Sequence, residues 1–265
     1  MPRVTAPSLC QRKQVGDKIA MLTAYDFPSA KLMDESGVDV ILVGDSCAMA
    51  VMGRPDTLSV TMEEMLHHTR IVAAAAHRAL VVADMPFLSY QVSPEDALRN
   101  AGRFVAEAGA QAVKLEGPAD KFGDAIRAIL RAGIPVMGHI GLTPQSVHQF
   151  GGYKVQGRDE ANRQRLIEEA RGLEAAGCFA VVLECMPAPL AAEITALLTI
   201  PTIGIGAGPD CDGQVLVMHD MLGLGIHTKF CKQYADLAGV MRGAFEAYVH
   251  EVKAGSFPDA EHAYQ

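Results

Sequence analysis

A glycine that ends a helical stretch and is followed at once by a short apolar run recurs four times along the chain. The copies are DESGVDVILVGD, EAGAQAVKLEG, RAGIPVMGHIG and EAAGCFAVVLEC, with the glycines at Gly37, Gly109, Gly133 and Gly177. Glycine readily takes the left-handed conformation that closes a helix before the chain turns into a strand. The runs are short, apolar and rich in β-branched residues, which is typical of strands buried on both faces. A helix followed by a buried strand, repeated, predicts right-handed βαβ units and a parallel sheet.

Eight strands of this kind can be placed along the 265 residues. The predicted strands lie at residues 20–22, 40–43, 80–83, 112–115, 135–138, 180–183, 202–205 and 215–218. The clearest predicted helices lie at residues 62–77, 94–107, 121–131, 160–175, 189–198 and 234–253. Because a (β/α)8 barrel typically needs about 250 residues, we predict a single (β/α)8 TIM-barrel domain of the α/β class over residues 1–265, with a short N-terminal extension. An open doubly wound sheet is the alternative, but TAYDFPSA after the first strand lacks its Gly-rich dinucleotide turn.

Composition and charge restrict the possible partners. Hydrophobic residues make up 49% of the chain, aromatic residues 6%, and tryptophan is absent, which favours an aliphatic core. The formal net charge is -8 and no Lys/Arg cluster is long enough to follow a phosphate backbone, so we expect no nucleic-acid partner. The most apolar stretch, residues 71–82, is interrupted by His77 and Arg78 and is too short to cross a membrane, and the first residues contain no secretory signal. Six scattered cysteines without a CxxC pair predict reduced thiols and a cytoplasmic protein.

Charged residues occupy the carboxyl ends of several predicted strands. In the fourth strand, side chains alternate so that Lys114 and Glu116 share one face while Val113 and Leu115 share the other. The apolar pair is expected to face the helices, which turns Lys114 and Glu116 into the barrel. The same alternation places three more acids inward: Asp45 after Val43, Asp84 after Val82 and Glu184 after Val182. His139 ends the fifth strand, and the active sites of such barrels form at this end.

Carboxylates that converge on one barrel end favour a bound cation. Burying several of them together is costly unless something positive lies among them. Asp and Glu oxygens suit Mg²⁺, which binds few carboxylates, keeps several waters and leaves room for a substrate. The absence of an HxH or HExxH arrangement disfavours zinc. The alternative is that each acid only caps the next helix or pairs with a Lys or Arg.

The segment at residues 142–158 interrupts the alternation of helix and strand. It is polar, Gly-rich and follows the fifth strand, so we expect a lid or substrate loop, with an oligomer contact as the alternative. His67, His68 and His77 are expected to be surface or packing residues of a helix. The turn at residues 204–213, GIGAGPDCDG, is either a phosphate-binding turn or a set of tight turns.

A series of longer motifs resembles the ketopantoate hydroxymethyltransferase family over nearly the whole chain, from about Ile19 to Ala263. The matching stretches are LTAYD (22–26), LVGDS (42–46), ADMPF (83–87), VKLEG (113–117), GHIGLTPQSV (138–147), FGGYKVQGR (150–158), LEC (183–185), IGIGAG (203–208) and DGQVLVMHDMLG (212–223). Their number, order and spacing make the resemblance specific.

The resemblance implies a (β/α)8 barrel of the phosphoenolpyruvate/pyruvate superfamily, assembled as a homodecamer. The implied reaction transfers a hydroxymethyl group from 5,10-methylenetetrahydrofolate to 3-methyl-2-oxobutanoate through a Mg²⁺-stabilised enolate, in pantothenate and coenzyme A biosynthesis. By the same resemblance, Asp45, Asp84 and Glu116 would be Mg²⁺ ligands, directly or through water. Ser46 and Lys114 would contact the keto acid, with Asp45, Asp84 and His139 also lining its site, and Glu184 would be the catalytic proton acceptor.

The chain departs from the family pattern after Asp45 and Ser46. Where the family is expected to show an apolar residue, Gly-Met, a Gln-Gly and a Ser-Thr, this chain reads CAMAVMGRPDTL from Cys47 onward, and the segment after Gly225 looks shorter. The implied metal and base positions are intact, so the departure bears on substrate fit and rate.

Three rival interpretations remain open at this point. Another metal-dependent keto-acid lyase or phosphonomutase of the same superfamily would share the site but not the folate dependence. A Schiff-base aldolase would use Lys114 without a metal. A non-catalytic barrel would leave the charged residues without a reaction.

Overall fold

The described chain, residues 2–226 and 228–264 of a computed structural model, contains eight parallel strands that close into a barrel in sequence order. The strands are β1 Ile19–Thr23, β2 Val40–Val43, β3 Leu80–Asp84, β4 Ala112–Lys114, β5 Val136–Gly141, β6 Ala180–Glu184, β7 Thr202–Ile205 and β8 Gly213–Leu216. The predicted (β/α)8 barrel is therefore confirmed. The last strand begins two residues earlier than predicted, since Gly213 already pairs with Ile19 of β1 and Ile203 of β7.

Helices follow most of the strands. They are α1 Ala6–Val15, α2 Phe27–Glu35, α3 Cys47–Ala50, α4 Met62–Ala75, α5 Pro94–Ala106, α6 Ala119–Arg131, α7 Val147–Phe150, α8 Glu160–Ala176, α9 Ala188–Leu197, α10 Met218–Met221 and α11 Leu237–Ala254. Short 3₁₀ turns lie at Pro144–Ser146 and Ala260–His262. The order of strand, helix and strand is the one that the glycine-ended pattern predicts.

Side-chain caps explain where individual helices begin and end. Ser93 Oγ accepts a hydrogen bond from Asp96 N at 3.1 Å, with Pro94 at the first helical position. The predicted helix at 62–77 ends earlier, at Ala75, because His77 N donates to Asp34 Oδ2 at 3.0 Å and has left the helical ladder. Asp34 thus ties α2 to the start of β3.

An apolar cluster with members from all eight strands fills the barrel interior. Its strand members are Ile19, Met21, Val40, Leu42, Leu80, Val82, Ala112, Met137, Ala180, Val182, Ile203 and Val215. Leu9 of α1 and Val4 just before it belong to the same cluster, and Arg12 pairs with Asp39, which precedes β2, at 2.8 Å. Helix α1 therefore covers the amino ends of the strands and leaves the carboxyl ends, here termed the barrel mouth, for the functional site.

The chain divides after Val217 into two compact units. The first contains the barrel. In the second, the 18-residue helix α11 buries none of its residues and exposes an apolar set that includes Val240, Phe245, Tyr248 and Val249. The prediction of one domain over residues 1–265 stays a prediction.

Two further predictions concern the chain as a whole. All six cysteines are free thiols, as the absence of a CxxC pair indicates. Among the described helices, none is both long enough and apolar enough to cross a bilayer.

Candidate active site

Lys114 and Asp84 form a buried ion pair at the barrel mouth. The two residues are direct neighbours in the register of β3 and β4, so both side chains point inward at the same level. Lys114 Nζ lies 2.9 Å from each carboxylate oxygen of Asp84 and 3.6 Å from Glu116 Oε1. The side chains of all three residues are 5% exposed or less, so their charges are removed from water. The predicted inward direction of Asp84, Lys114 and Glu116 is confirmed.

Asp45 reaches the same cluster, but not by the strand alternation used to predict it. Val40 and Leu42 belong to the interior cluster, so Val43 points towards the helices and an unbroken strand would turn Asp45 outward. Instead β2 ends at Val43 and the chain turns after Gly44. Asp45 is then 4% exposed, and its backbone N–H donates to Asp84 Oδ2 at 3.3 Å. The predicted location was right and the reason for it was wrong.

Gln145, which is not among the residues predicted for the site, joins the acids from the loop after β5. Its Nε2 donates to Asp45 Oδ2 at 2.9 Å, and its backbone N–H donates to Glu116 Oε2 at 3.0 Å. The residue lies inside the motif GHIGLTPQSV, and a polar residue just past a strand end was the available signal. A single residue therefore contacts two of the predicted metal ligands.

His139 and Glu184 form a second charged pair, on β5 and β6. His139 Nε2 lies 3.2 Å from Glu184 Oε2, and His139 Nδ1 lies 3.6 Å from Glu116 Oε1. Neither ring nitrogen makes an aligned hydrogen bond within the described chain, so both contacts are electrostatic. Burial and Lys114 lower the pKa of His139, but the contacts with Glu116 and Glu184 outweigh them and raise it to about 9. The Glu184 side chain is 16% exposed, which makes it the most accessible acid of the site.

Burial and neighbouring charges shift the pKa values of the three clustered acids and of Lys114. Burial, together with Asp84 and Glu116, holds the pKa of Asp45 well above its usual range. Burial also raises the pKa of Asp84, although Lys114 acts against it. Burial would raise the pKa of Glu116 too, but Lys114 and His139 bring it below its usual value. The Lys114 pKa is raised, because the three acids outweigh the effect of burial.

Ser46 lies at the edge of this cluster, half-buried, and bonds to a buried tyrosine. Its Oγ is 2.9 Å from the hydroxyl of Tyr25, and burial raises the Tyr25 pKa, so the phenol stays protonated. His68 Nδ1 lies 2.8 Å from the Tyr25 carbonyl oxygen, whereas His67 and His77 are exposed. The interpretation of these histidines as packing or surface residues therefore agrees with their positions.

The backbone next to Glu184 is constrained on two sides. Gly141 on β5 has φ +94°, and a Cβ at this position would lie 2.2 Å from the Glu184 carbonyl oxygen. Cys185, directly after Glu184, is a non-glycine residue at φ +48°, in the left-handed region where such residues are strained. The position of Glu184 therefore depends on a close approach of β5 that only glycine permits.

The loop at residues 142–158 is anchored at its root. Leu142, Thr143 and Gln145 are buried, whereas most residues from 148 to 156 are exposed or half-buried. At the far end, Gln156 N donates to the Cys185 carbonyl oxygen at 2.9 Å. The loop thus borders the barrel mouth, and its lid role stays a prediction.

The donor set fits a hard cation held by few direct protein ligands. Within the described residues, no three His, Cys, Asp or Glu side chains are placed to coordinate one ion together. Mg²⁺, however, commonly takes only one or two carboxylates and keeps waters and substrate oxygens in its remaining positions. Glu116 Oε1 is buried and makes no hydrogen bond in the part of the chain that the structure describes, and two positive groups, Lys114 Nζ and His139 Nδ1, each lie 3.6 Å from it. The all-oxygen chemistry of Asp45, Asp84 and Glu116 suits such an ion.

Solved structures share this fold at low sequence identity. Phosphonopyruvate hydrolase in complex with oxalate and Mg++ matches with a TM-score of 0.65 at 14% identity, covering 98% of this chain and 93% of that one. 2,3-Dimethylmalate lyase, a PEP mutase/isocitrate lyase superfamily member, matches with a TM-score of 0.63 at 19% identity, covering 99% and 93%. These matches and the closed sheet define the class of fold, a (β/α)8 barrel, here with charged residues at the carboxyl ends of its strands.

Sequence comparison places the chain more narrowly. The family model for ketopantoate hydroxymethyltransferase matches residues 3–260. The 3-methyl-2-oxobutanoate hydroxymethyltransferase of Syntrophus aciditrophicus is 56% identical over 264 residues, which cover 99% of this chain and 97% of that protein. The chain belongs to the ketopantoate hydroxymethyltransferase family and is a transferase enzyme.

Proposed function

We propose that the chain transfers a hydroxymethyl group from 5,10-methylenetetrahydrofolate to 3-methyl-2-oxobutanoate, which gives 2-dehydropantoate for pantothenate and coenzyme A synthesis. The observation that carries the proposal is the buried Lys114–Asp84 pair, flanked by Asp45 and Glu116 and next to the more accessible Glu184. Membership of the family and the names of its full-length relatives support the same reaction.

A divalent cation, Mg²⁺ or a similar ion, would be held by Asp45, Asp84 and Glu116, directly or through water. There it would supply a Lewis acid beside the oxygens of the keto acid. Burial and the neighbouring acids raise the pKa values of Asp45 and Asp84, which supports the assignment, because a cation at this point would stabilise the ionised carboxylates. Oxalate, present in the phosphonopyruvate hydrolase complex, carries oxygens on two adjacent carbons, as a 2-keto acid does. This likeness supports a keto acid as the substrate of a barrel of this fold.

Lys114 and Ser46 would position the keto acid. Loss of the proton from C3 moves an electron pair onto the ketone oxygen, and a charged donor next to that oxygen stabilises the charge. Lys114 Nζ is fixed by Asp84 and has a raised pKa, so it stays a charged donor through the reaction. Ser46, held by Tyr25 at 2.9 Å, presents its hydroxyl from the end of β2.

Glu184 would be the base that takes the C3 proton. A positioned base contributes about 10²–10⁴-fold to the rate. Gly141 and Cys185 set the Glu184 backbone, and His139 contacts its carboxylate at 3.2 Å, which fixes the side chain towards the interior. One water would open the methylene bridge of the folate, breaking both C–N bonds and giving tetrahydrofolate and formaldehyde. The C3 carbanion would then attack the formaldehyde carbon, and the formaldehyde oxygen would take the proton held by Glu184 to become the new hydroxyl group. The loop at residues 142–158 would close over the bound substrates.

We further propose a homo-oligomer, a decamer by family resemblance, in the cytoplasm. The exposed apolar residues of α11, among them Phe245 and Val249, support association with further copies, because an apolar helix face of this kind is rarely left in water. Six free thiols suit a reducing compartment.

The test is a coupled assay with 3-methyl-2-oxobutanoate, methylenetetrahydrofolate and Mg²⁺. We expect 2-dehydropantoate only when all three are present, and loss of product in excess EDTA that added Mg²⁺ reverses. Turnover of a keto acid without folate would favour a lyase or phosphonomutase instead. Full activity in EDTA would refute the metal site, and trapping of a keto-acid adduct on Lys114 by borohydride would favour a Schiff-base aldolase.

A further inference from the structure

The loop after β5 enters the acid cluster through one side chain, that of Gln145. The residue is 6% exposed, and both N–H groups of its amide are used. Nε2 donates to Asp45 Oδ2 at 2.9 Å and to the Met85 carbonyl oxygen at 3.0 Å. With its backbone N–H on Glu116 Oε2 at 3.0 Å, Gln145 donates to two carboxylates that come from different strands.

The orientation of the Gln145 amide is determined by donors on its other side. Oε1 lies 2.9 Å from the Tyr90 hydroxyl and 3.1 Å from Gln91 Nε2. A flipped amide would turn its NH₂ group against the NH₂ group of Gln91 and its oxygen against the Asp45 carboxylate. Only the observed orientation therefore satisfies every group.

Tyr90 connects this amide to the end of β4. Its hydroxyl accepts from Glu116 N at 3.1 Å and lies 2.9 Å from the Glu116 carbonyl oxygen as well as from Gln145 Oε1. The ring is 2% exposed and packs edge-on against Phe122 with centroids 5.3 Å apart. The buried Tyr90 hydroxyl thus links the Gln145 side chain to the backbone of Glu116.

We propose that Gln145 is a positioning residue that sets the separation and direction of the Asp45 and Glu116 carboxylates for the divalent cation, with Tyr90 holding its amide. The inference rests on the proposed metal-dependent function. Two buried carboxylates repel each other, and Asp45 and Glu116 follow strands β2 and β4, which are not neighbours in the barrel. Donors from a single residue that is itself fixed keep them at one distance, and loss of such an outer partner typically reduces metal affinity about 10–100-fold.

The test is Mn²⁺ binding to the purified full-length protein without substrates, followed by electron paramagnetic resonance, so that the readout does not depend on activity. The variants are Gln145→Met, which keeps the size and the backbone N–H but removes the amide, Tyr90→Phe, and the double variant. We expect each single variant to bind Mn²⁺ about 10–100-fold more weakly. The double variant should bind Mn²⁺ no more weakly than the single variant of lower affinity, because both changes act through the same amide.

Gln156→Met is the matched control. Gln156 lies in the same loop, but its side chain donates to Lys154 O at 3.0 Å, so Mn²⁺ binding should be unchanged. Wild-type affinity in Gln145→Met would overturn this inference alone, whereas absence of Mn²⁺ binding by the wild type would overturn it together with the proposed function. Losses that multiply in the double variant would refute the role of Tyr90. If the melting curve shows that Gln145→Met does not fold, the test rests on Tyr90→Phe. Wild-type Mn²⁺ affinity in that variant would then overturn the inference.

Discussion

Replacing Lys114 by Met removes the cation that contacts both Asp84 and Glu116. His139, which lies 3.6 Å from the same Glu116 oxygen as Lys114, remains as a positive neighbour of Glu116. Methionine keeps the length and apolar stem of lysine, so packing changes little. Asp84 loses two hydrogen bonds of 2.9 Å and is left buried beside Asp45 and Glu116. The substitution therefore isolates the electrostatic contribution of the ammonium group.

The expected loss of stability is large. Breaking a buried ion pair by removing one partner costs about 3–5 kcal/mol, since the other charge stays buried without compensation. A chain of this size loses about 2–4 °C of melting temperature per kcal/mol, so the melting temperature should fall by roughly 6–20 °C at pH 7. The loss should shrink on acidification. In the folded protein the pKa values of Asp45 and Asp84 lie above the unfolded-state value of about 3.9. The free energy of unfolding associated with these two groups is therefore highest below that pH and falls as the pH rises through their folded-state pKa values.

The assay is thermal unfolding of the EDTA-treated protein between pH 4 and pH 8. Lys121→Met, on the exposed start of α6, is the matched control and should change the melting temperature little at any pH. Adding Asp84→Asn to Lys114→Met should recover much of the loss, because the uncompensated charge is then gone. A Lys114→Met protein as stable as the wild type at pH 7 would refute the compensation argument, and so would a loss of stability that does not depend on pH.

Three further changes test other parts of the chain. Glu184→Gln should still bind the keto acid but abolish exchange of its C3 proton into D₂O followed by NMR; exchange at the wild-type rate would mean that another group is the base. Gly141→Ala should lower the free energy of unfolding in urea by more than Gly133→Ala, because the added Cβ lies 2.2 Å from a carbonyl oxygen at the first site and meets nothing within 4 Å at the second; equal losses would rule out the clash. Arg54 lowers the pKa of Glu64 to about 2, so this pair adds stability above pH 5 that is lost as the pH falls towards 2. Glu64→Gln should therefore reduce the change in the free energy of unfolding, measured in urea, between pH 5 and pH 2, and an unchanged dependence on pH would contradict the pairing.

The fold could be predicted from the chain because each of its signals is local. A glycine such as Gly37 or Gly177 lies at the end of its own helix, and the apolar run that follows shows no polar face. These patterns give the order of helix and strand, and in a parallel sheet the order leaves few topologies. The eighth strand was misplaced by two residues because Gly213 and Gln214 have no apolar signal, and only their pairing with β1 makes them a strand.

The site was predictable to the extent that strand alternation continues past the strand end. It does so for Asp84, Lys114 and Glu184, which continue the inward rows of their strands. It fails for Asp45, where the chain turns at Gly44 and the direction of the side chain depends on that turn. Gln145 could not be assigned a partner at all, because its contact with Asp45 joins residues far apart in the chain and requires the closed barrel.

The charged layer at the barrel mouth lies on an apolar layer built by the same strands, which explains how the acids stay buried. The inward rows of β3 and β4 change from apolar to charged in one step, from Val82 to Asp84 and from Ala112 to Lys114. The closed ladder fixes these positions, so the acids cannot separate to relieve their repulsion. Burial and the neighbouring acids raise the pKa of Asp45, and a cation would offset the part of this effect that comes from the acids. Removing Lys114 should therefore destabilise the metal-free protein. The rise in melting temperature on adding a divalent cation should then be larger than in the wild type.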